Sequence, residues 1–177
     1  MDIDAPLATA LGFPKAQYTA VERERRWLCR DVPRHLIRQT LLVTDVYVTG
    51  TRLRLRQMRP TDGSPPQLKL SRKADADAQT RLITTIYLPE AEFAVLEATL
   101  SGPRLRKIRH RLHTPPGVLM LSIDEFQGDL AGLVLAEAEF NTSDELSAFP
   151  SPPFASREVT HDLSYTGGSL AIYGLPQ

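Results

Sequence analysis

The sequence predicts a mainly β protein of the α+β class, in which antiparallel strands close, or nearly close, into a barrel carrying a few short helices. Three observations predict it. Charged side chains recur at every second position in Glu22-Arg23-Glu24-Arg25-Arg26, Arg52-Leu53-Arg54-Leu55-Arg56 and Glu137-Ala138-Glu139. Residues two apart share one face of a strand, about 6 to 7 Å from each other. Runs rich in Val, Ile, Thr and Tyr alternate with clusters of Pro, Gly, Asp and Ser, the pattern of strands separated by turns. Many strands with few helices to cover their edges favour closure, because an open edge invites mispairing.

Taken in order, residues 1–18 form a leader segment without evident chemistry, and residues 19–177 form the folded domain. Residues 18–29 are compatible with helix or strand, since Glu and Arg favour the first and Val21, Trp27 and the alternation of charge allow the second. Residues 31–39 are expected as a short helix with Asp31 at its N-cap and Pro33 in its first turn. Residues 40–48 form a β-branched strand, Thr49-Gly50 a turn, and residues 51–58 a strand alternating basic and apolar positions. A loop of concentrated turn formers spans 60–66, and 67–73 alternates again with Lys69, Ser71 and Lys73 in one phase. A strand is expected over 81–88. The clearest helix covers 89–100, with Pro89 in its first turn, Glu90 and Glu92 at its positive end, and Phe93, Leu96 and Leu100 on one face. Strands follow over 105–113, 118–126 and 133–140, with a loop at 127–132. Thr142 or Ser143 caps a short helix through Leu146, and a Pro-rich stretch then leads into an irregular tail.

Composition narrows the function. The chain of 177 residues carries 21 basic and 21 acidic side chains, a net charge of zero. A general binder of double-stranded nucleic acid or of acidic membranes is more often clearly basic, so neither partner is expected and any selectivity for anions must be local. No apolar run of about 18 residues is present to span a membrane, and no secretory signal is expected. Cys29 is the sole cysteine, which suits a reducing cytoplasm. What the composition does contain is carboxylates on strands that neighbour clustered Arg and Lys. That pairing suits a metal-bound polyphosphate: carboxylates hold a hard cation, and guanidinium and ammonium groups hold phosphate oxygens.

Read together, these motifs resemble those of the CYTH superfamily, the triphosphate tunnel metalloenzymes. Glu22-Arg23-Glu24-Arg25-Arg26-Trp27-Leu28 is similar to the opening Glu-x-Glu-x-Lys signature, and Arg52 to Arg56 is similar to the Arg-x-Arg strand. Leu70-Ser71-Arg72-Lys73 resembles the following lysine strand and Lys107-Ile108-Arg109 the Lys-x-Arg strand. Ile123 to Gly128 and Ala131 to Phe140 resemble the late acidic strands, and Glu158-Val159-Thr160 with the 165–170 tail resembles the family's close.

The resemblance implies an eight-stranded antiparallel barrel whose polar faces line a tunnel, with residues 22–28 in strand. It implies a Mg²⁺- or Mn²⁺-dependent triphosphatase acting on tripolyphosphate, thiamine triphosphate or a nucleoside triphosphate. A non-catalytic polyphosphate- or nucleotide-binding module and a class IV-like adenylate cyclase are the alternatives. Carried over residue by residue, Glu22, Glu24, Asp124, Glu137 and Glu139 are the expected metal carboxylates. Arg26, Arg54, Arg56, Lys73, Lys107 and Arg109 are the expected phosphate ligands, with Glu22, Glu24, Arg26 and Lys73 as the catalytic set. Arg52, Lys69 and Arg111 share the right phases. Arg26 replaces the signature lysine, a planar fork in place of a point charge, and Ser122 stands where many members carry glutamate.

Overall fold

A computed structural model describes residues 3–176. Nine strands run in chain order: β1 Ala20–Cys29, β2 Ile37–Tyr47, β3 Leu53–Pro60, β4 Gln67–Asp75, β5 Thr80–Tyr87, β6 Arg104–Leu112, β7 Met120–Phe126, β8 Val134–Phe140 and β9 Ala155–Glu158. Their order across the sheet is β5-β4-β3-β2-β6-β7-β8-β1-β9, and a further antiparallel pairing of β1 with β5 closes eight of them into a barrel. β1 is shared at the closure. Its first half, Ala20 to Arg23, pairs with β5, and its last residues pair with β9. The segment that local propensity leaves open between helix and strand is therefore strand, because it is the seam on which closure depends.

The register sorts side chains into two faces. Glu24 opposes Glu139 and Arg26 opposes Glu137 across β1 and β8, while Arg109 opposes Asp124 across β6 and β7. Asp45 opposes Arg56, and Arg56 opposes Lys69, across β2, β3 and β4. Cross-strand partners share a face, so all of these point into the lumen. The intervening residues point outward, some to solvent, as Leu42 does, and others under helices and loops.

Trp27, Ile123, Ala136 and Phe140 pack with Leu146 of α3 Ser143–Ala148, and the Trp27 ring is fully buried. Val46, Leu55 and Leu68 pack with Phe93 of α2 Glu90–Thr99. Ala74 and Leu82 lie under Phe13 and the leader helix α1 Ala5–Ala10. At one end of the lumen the lining turns apolar: Leu28, Leu105, Phe126 and Leu135 meet Val159 and Leu170, the last from α4 Gly167–Tyr173. The C-terminal segment thus packs against that end of the barrel.

Local chemistry explains most of these elements. α3 opens on a reciprocal capping box, in which the Thr142 hydroxyl accepts from the Glu145 N–H and the Glu145 carboxylate accepts from the Thr142 N–H. Pro89 stands at the N-cap of α2 rather than inside its first turn. The helix expected over 31–39 does not form. Only a 3₁₀ turn, Arg34–Leu36, precedes β2, whose residues from Ile37 pair with β6. Pro33 disfavours helical geometry at Val32, and the ladder to β6 then claims the rest. The 127–132 loop contains a 3₁₀ turn, Gly128–Leu130, and the tail read as irregular supplies β9 and α4.

Candidate active site

The lumen holds a cavity of about 760 Å³. On one side, β1 and β8 bring carboxylates together. One oxygen each from Glu22, Glu24 and Glu139 lies within 4.8 Å of the others. Burial, followed by the charges of Glu22 and Glu24, lifts the Glu139 carboxyl to about 7. Burial also raises Glu24, aided by Glu137 and Glu22, against the opposing pull of Arg81. Burial acts on Glu22 too, but Lys73 and Arg81 outweigh it and bring the group down to about 2. Three converging oxygen donors whose charges strain one another form a set that a hard divalent cation would relieve, so the residues present fit Mg²⁺ or Mn²⁺.

Across the cavity stand cations from β3, β4 and β6: Arg54, Arg56, Lys69, Lys73, Lys107 and Arg109. All of them except Lys69 lie beside an acid. Lys73 Nζ donates to Glu22 at 2.5 Å. Arg109 donates through Nε and Nη2 to the two oxygens of Asp124, both at 2.7 Å, and also to Glu137. Lys107 Nζ donates to Asp124 at 2.5 Å. Lys69 has no acidic partner among the described residues: burial, then Arg56 and Arg54, lower its ammonium to about 8.

The expected site residues therefore divide. Glu22, Glu24 and Glu139 converge. Glu137 lines the same cavity but is engaged by Arg109. Asp124 is fully buried beneath Lys107 and Arg109, acting as their counter-ion and standing apart from the converging carboxylates. Arg54, Arg56, Lys73, Lys107 and Arg109 line the cavity, as do Arg52, Lys69 and Arg111. Arg26 shares the lumen face but lies beyond the cavity lining, 1% exposed, with Nε 3.6 Å from Glu24 and Nη2 donating to the Thr160 carbonyl. Ser122 is buried next to Glu137 in the register, its hydroxyl without a hydrogen-bond partner among the described residues. His110 faces outward, bonded to Thr40 and Glu125.

Two charged lumen residues escaped the sequence reading. Arg81 on β5 reaches Glu24 at 3.0 Å and Glu22 at 3.8 Å, an internal cation beside the acidic group. Asp45 on β2 grips Arg56. Arg81 shares its phase with Ile83 and Thr85 and alternates with Leu82 and Thr84, so its face was readable once β5 was placed beside β1. Asp45 sits alone in a β-branched run and carried no comparable signal.

No protein-family model matches the chain. An inorganic triphosphatase of Nitrosomonas europaea is 36% identical over 87 residues, 49% of this chain and 57% of that protein. Another, from Acetivibrio thermocellus, is 31% identical over 102 residues, 57% of this chain and 63% of that protein. Both matches thus span less than two thirds of the relative's own length. Among solved structures, the inorganic triphosphatase NE1496 aligns with a TM-score of 0.57 at 27% identity, over 88% of this chain and 97% of that one. The PH1012 protein of Pyrococcus horikoshii aligns with a TM-score of 0.51 at 12% identity, over 71% and 82%, a likeness of fold alone.

The closed barrel, its charged lumen and these likenesses define the class by its fold: the chain has the triphosphate tunnel fold, shared with the inorganic triphosphatase NE1496. Within that fold, the two curated relatives and NE1496 all carry the name inorganic triphosphatase.

Proposed function

We propose that the chain is a metal-dependent triphosphatase that hydrolyses inorganic tripolyphosphate, or a related organic triphosphate, inside the tunnel. The observation that carries this reading is the meeting of Glu22, Glu24 and Glu139 with a cationic wall across one cavity. A triphosphate carries about four negative charges, which the wall offsets through charge-assisted hydrogen bonds. Arg54, Lys69, Lys73 and Lys107 hold phosphate oxygens, with Arg56 and Arg109 contributing the nitrogens their carboxylate partners leave free. Glu22, Glu24 and Glu139 hold Mg²⁺ or Mn²⁺, which when bound supplies charge neutralisation at the terminal phosphoryl group. Glu137 and Asp124 keep Arg109 and Lys107 in place, and Arg26 supports Glu24 from beyond the cavity lining. Water attacks the terminal phosphorus, the bridging P–O bond breaks, and orthophosphate and the shortened chain leave. Phosphoryl transfer of this kind is mostly positioning and electrostatics, the task for which a rigid barrel lumen is suited.

A cytoplasmic location is part of the proposal, supported by the single free cysteine, Cys29. No helix among the described residues is long and apolar enough to cross a membrane. The test is phosphate release from tripolyphosphate, ATP and thiamine triphosphate, each with Mg²⁺, Mn²⁺ or EDTA. Metal-dependent release is expected, with the ranking naming the substrate. Tight binding without release would make the chain a binding module, and cyclic AMP formed from ATP would make it a cyclase.

A further inference from the structure

Asp45 is an anion set into the cationic wall. It is fully buried, on the lumen face of β2, directly opposite Arg56 in the register. Its oxygens accept from Arg56 Nε at 2.6 Å and Nη2 at 2.7 Å, and Arg54 Nε lies 3.8 Å from Oδ1. Arg56 itself is 5% exposed and lines the cavity. A guanidinium grips an oxyanion most firmly through a pair of parallel N–H donors. Asp45 occupies the Nε/Nη2 edge, which leaves Arg56 its Nη1/Nη2 edge for an incoming oxyanion and fixes the plane of the guanidinium.

On β6 and β7 the same arrangement recurs, with Arg109 giving Nε and Nη2 to Asp124. Two wall arginines from different strand pairs are thus each held by a buried carboxylate across a β ladder. Neither arginine is free to swing onto whatever phosphate arrives.

We propose that Asp45 is a positioning residue of the triphosphate site. It fixes the Arg56 guanidinium in one orientation at the tunnel wall, so that Arg56 meets the phosphoryl group from a preset position instead of moving onto the bound substrate. The inference rests on the triphosphatase reading for its kinetic form. A mobile guanidinium would follow the substrate and bind it as well as the transition state, which tightens binding without speeding turnover. A fixed arginine favours the geometry in which charge is transferred.

Asp45→Asn keeps the shape and removes the charge. Wild-type and variant are compared for kcat and KM with tripolyphosphate, after thermal melts establish that both fold. The expected result is a fall in kcat of about tenfold or more with KM unchanged or lowered. A change in KM alone, a rise in KM with kcat intact, or wild-type values for both would overturn the inference. A merely structural role would lower the melting temperature and the active fraction, so kcat is taken per tripolyphosphate-binding site counted by calorimetry, and a wild-type kcat on that basis would also overturn the inference.

A second comparison needs no turnover, so it separates failure of this inference from failure of the triphosphatase reading. Arg56→Gln removes the bidentate partner of Asp45 and leaves its carboxylate in the wall with Arg54 Nε 3.8 Å away, while Asp45→Asn/Arg56→Gln removes both charges. Calorimetric titration with tripolyphosphate is expected to show the double variant binding several-fold more tightly than Arg56→Gln, about tenfold where the full charge is felt. Equal affinities, or failure of the double variant to fold, would overturn the role assigned to Asp45. Absence of phosphate release from the wild-type protein would instead count against the triphosphatase reading.

Discussion

Lys73 on β4 reaches past β5 to hold Glu22 on β1, Nζ to Oε2 at 2.5 Å, so the cationic wall and the acidic group are joined by an ion pair inside the lumen. Each partner has a second claimant, phosphate for Lys73 and a divalent cation for Glu22. Lys73→Met should therefore move two affinities in opposite directions. Tripolyphosphate turnover falls by about 10- to 100-fold, the weight of one charge-assisted contact. Mn²⁺ binding in the absence of substrate tightens, because a competing positive charge has gone. Kinetics and a Mn²⁺ titration read the two effects, and loss of both would contradict this arrangement.

Glu139 gives a pH signature. Its carboxyl sits at about 7 because of burial and the nearby charges of Glu22 and Glu24. The folded metal-free protein therefore binds a proton that the unfolded chain, with a carboxyl near 4.5, does not. The cost of charging Glu139 is fully present above about pH 7 and is relieved as pH falls toward 4.5. In EDTA, the stability contribution of this group should rise over that window, and Glu139→Gln should remove the rise. Denaturant melts of both proteins across the window check it.

Lys69 predicts how binding depends on pH. Burial, with Arg56 and Arg54, brings its ammonium down to about 8. A polyanion favours the protonated form, so above about pH 8 binding must take up a proton and weakens as pH rises. Lys69→Arg should flatten that fall. Calorimetry of tripolyphosphate binding in buffers of different ionisation enthalpy would count the proton directly.

Gly102 is required where the chain enters β6. A Cβ there would lie 1.8 Å from the Tyr47 carbonyl oxygen at the end of β2. Gly102→Ala must push β2 and β6 apart at the end of the lumen that Tyr47 lines, and should cost about 1 to 3 kcal/mol. An unchanged denaturation midpoint would contradict the packing.

The strands and the lumen phases were legible because charge alternated at period two in β1, β3, β6 and β8, and that period survives any uncertainty in strand ends. The converging Glu22, Glu24 and Glu139 could be named, but not their separation from Asp124, since sequence shows phase without showing which cation captures which acid. Asp45 was silent for a related reason: one acid among β-branched residues says nothing until Arg56 is opposite it. The 31–39 segment misled because capping chemistry was read locally while the ladder with β6 decided it. The tail's helix opens on a local signal that was passed over, the Thr166 hydroxyl accepting from the Ser169 N–H, while its seating through Leu170 on the barrel end is a long-range effect.

The most direct measurement is metal-dependent phosphate release from tripolyphosphate by the wild-type protein and by Glu22→Gln/Glu24→Gln, with tripolyphosphate affinity recorded for both. The account predicts release that requires Mg²⁺ or Mn²⁺, its loss in the variant, and retention of tripolyphosphate binding by the intact cationic wall. Release that persists in EDTA, or that survives in the variant at the wild-type rate, would contradict it.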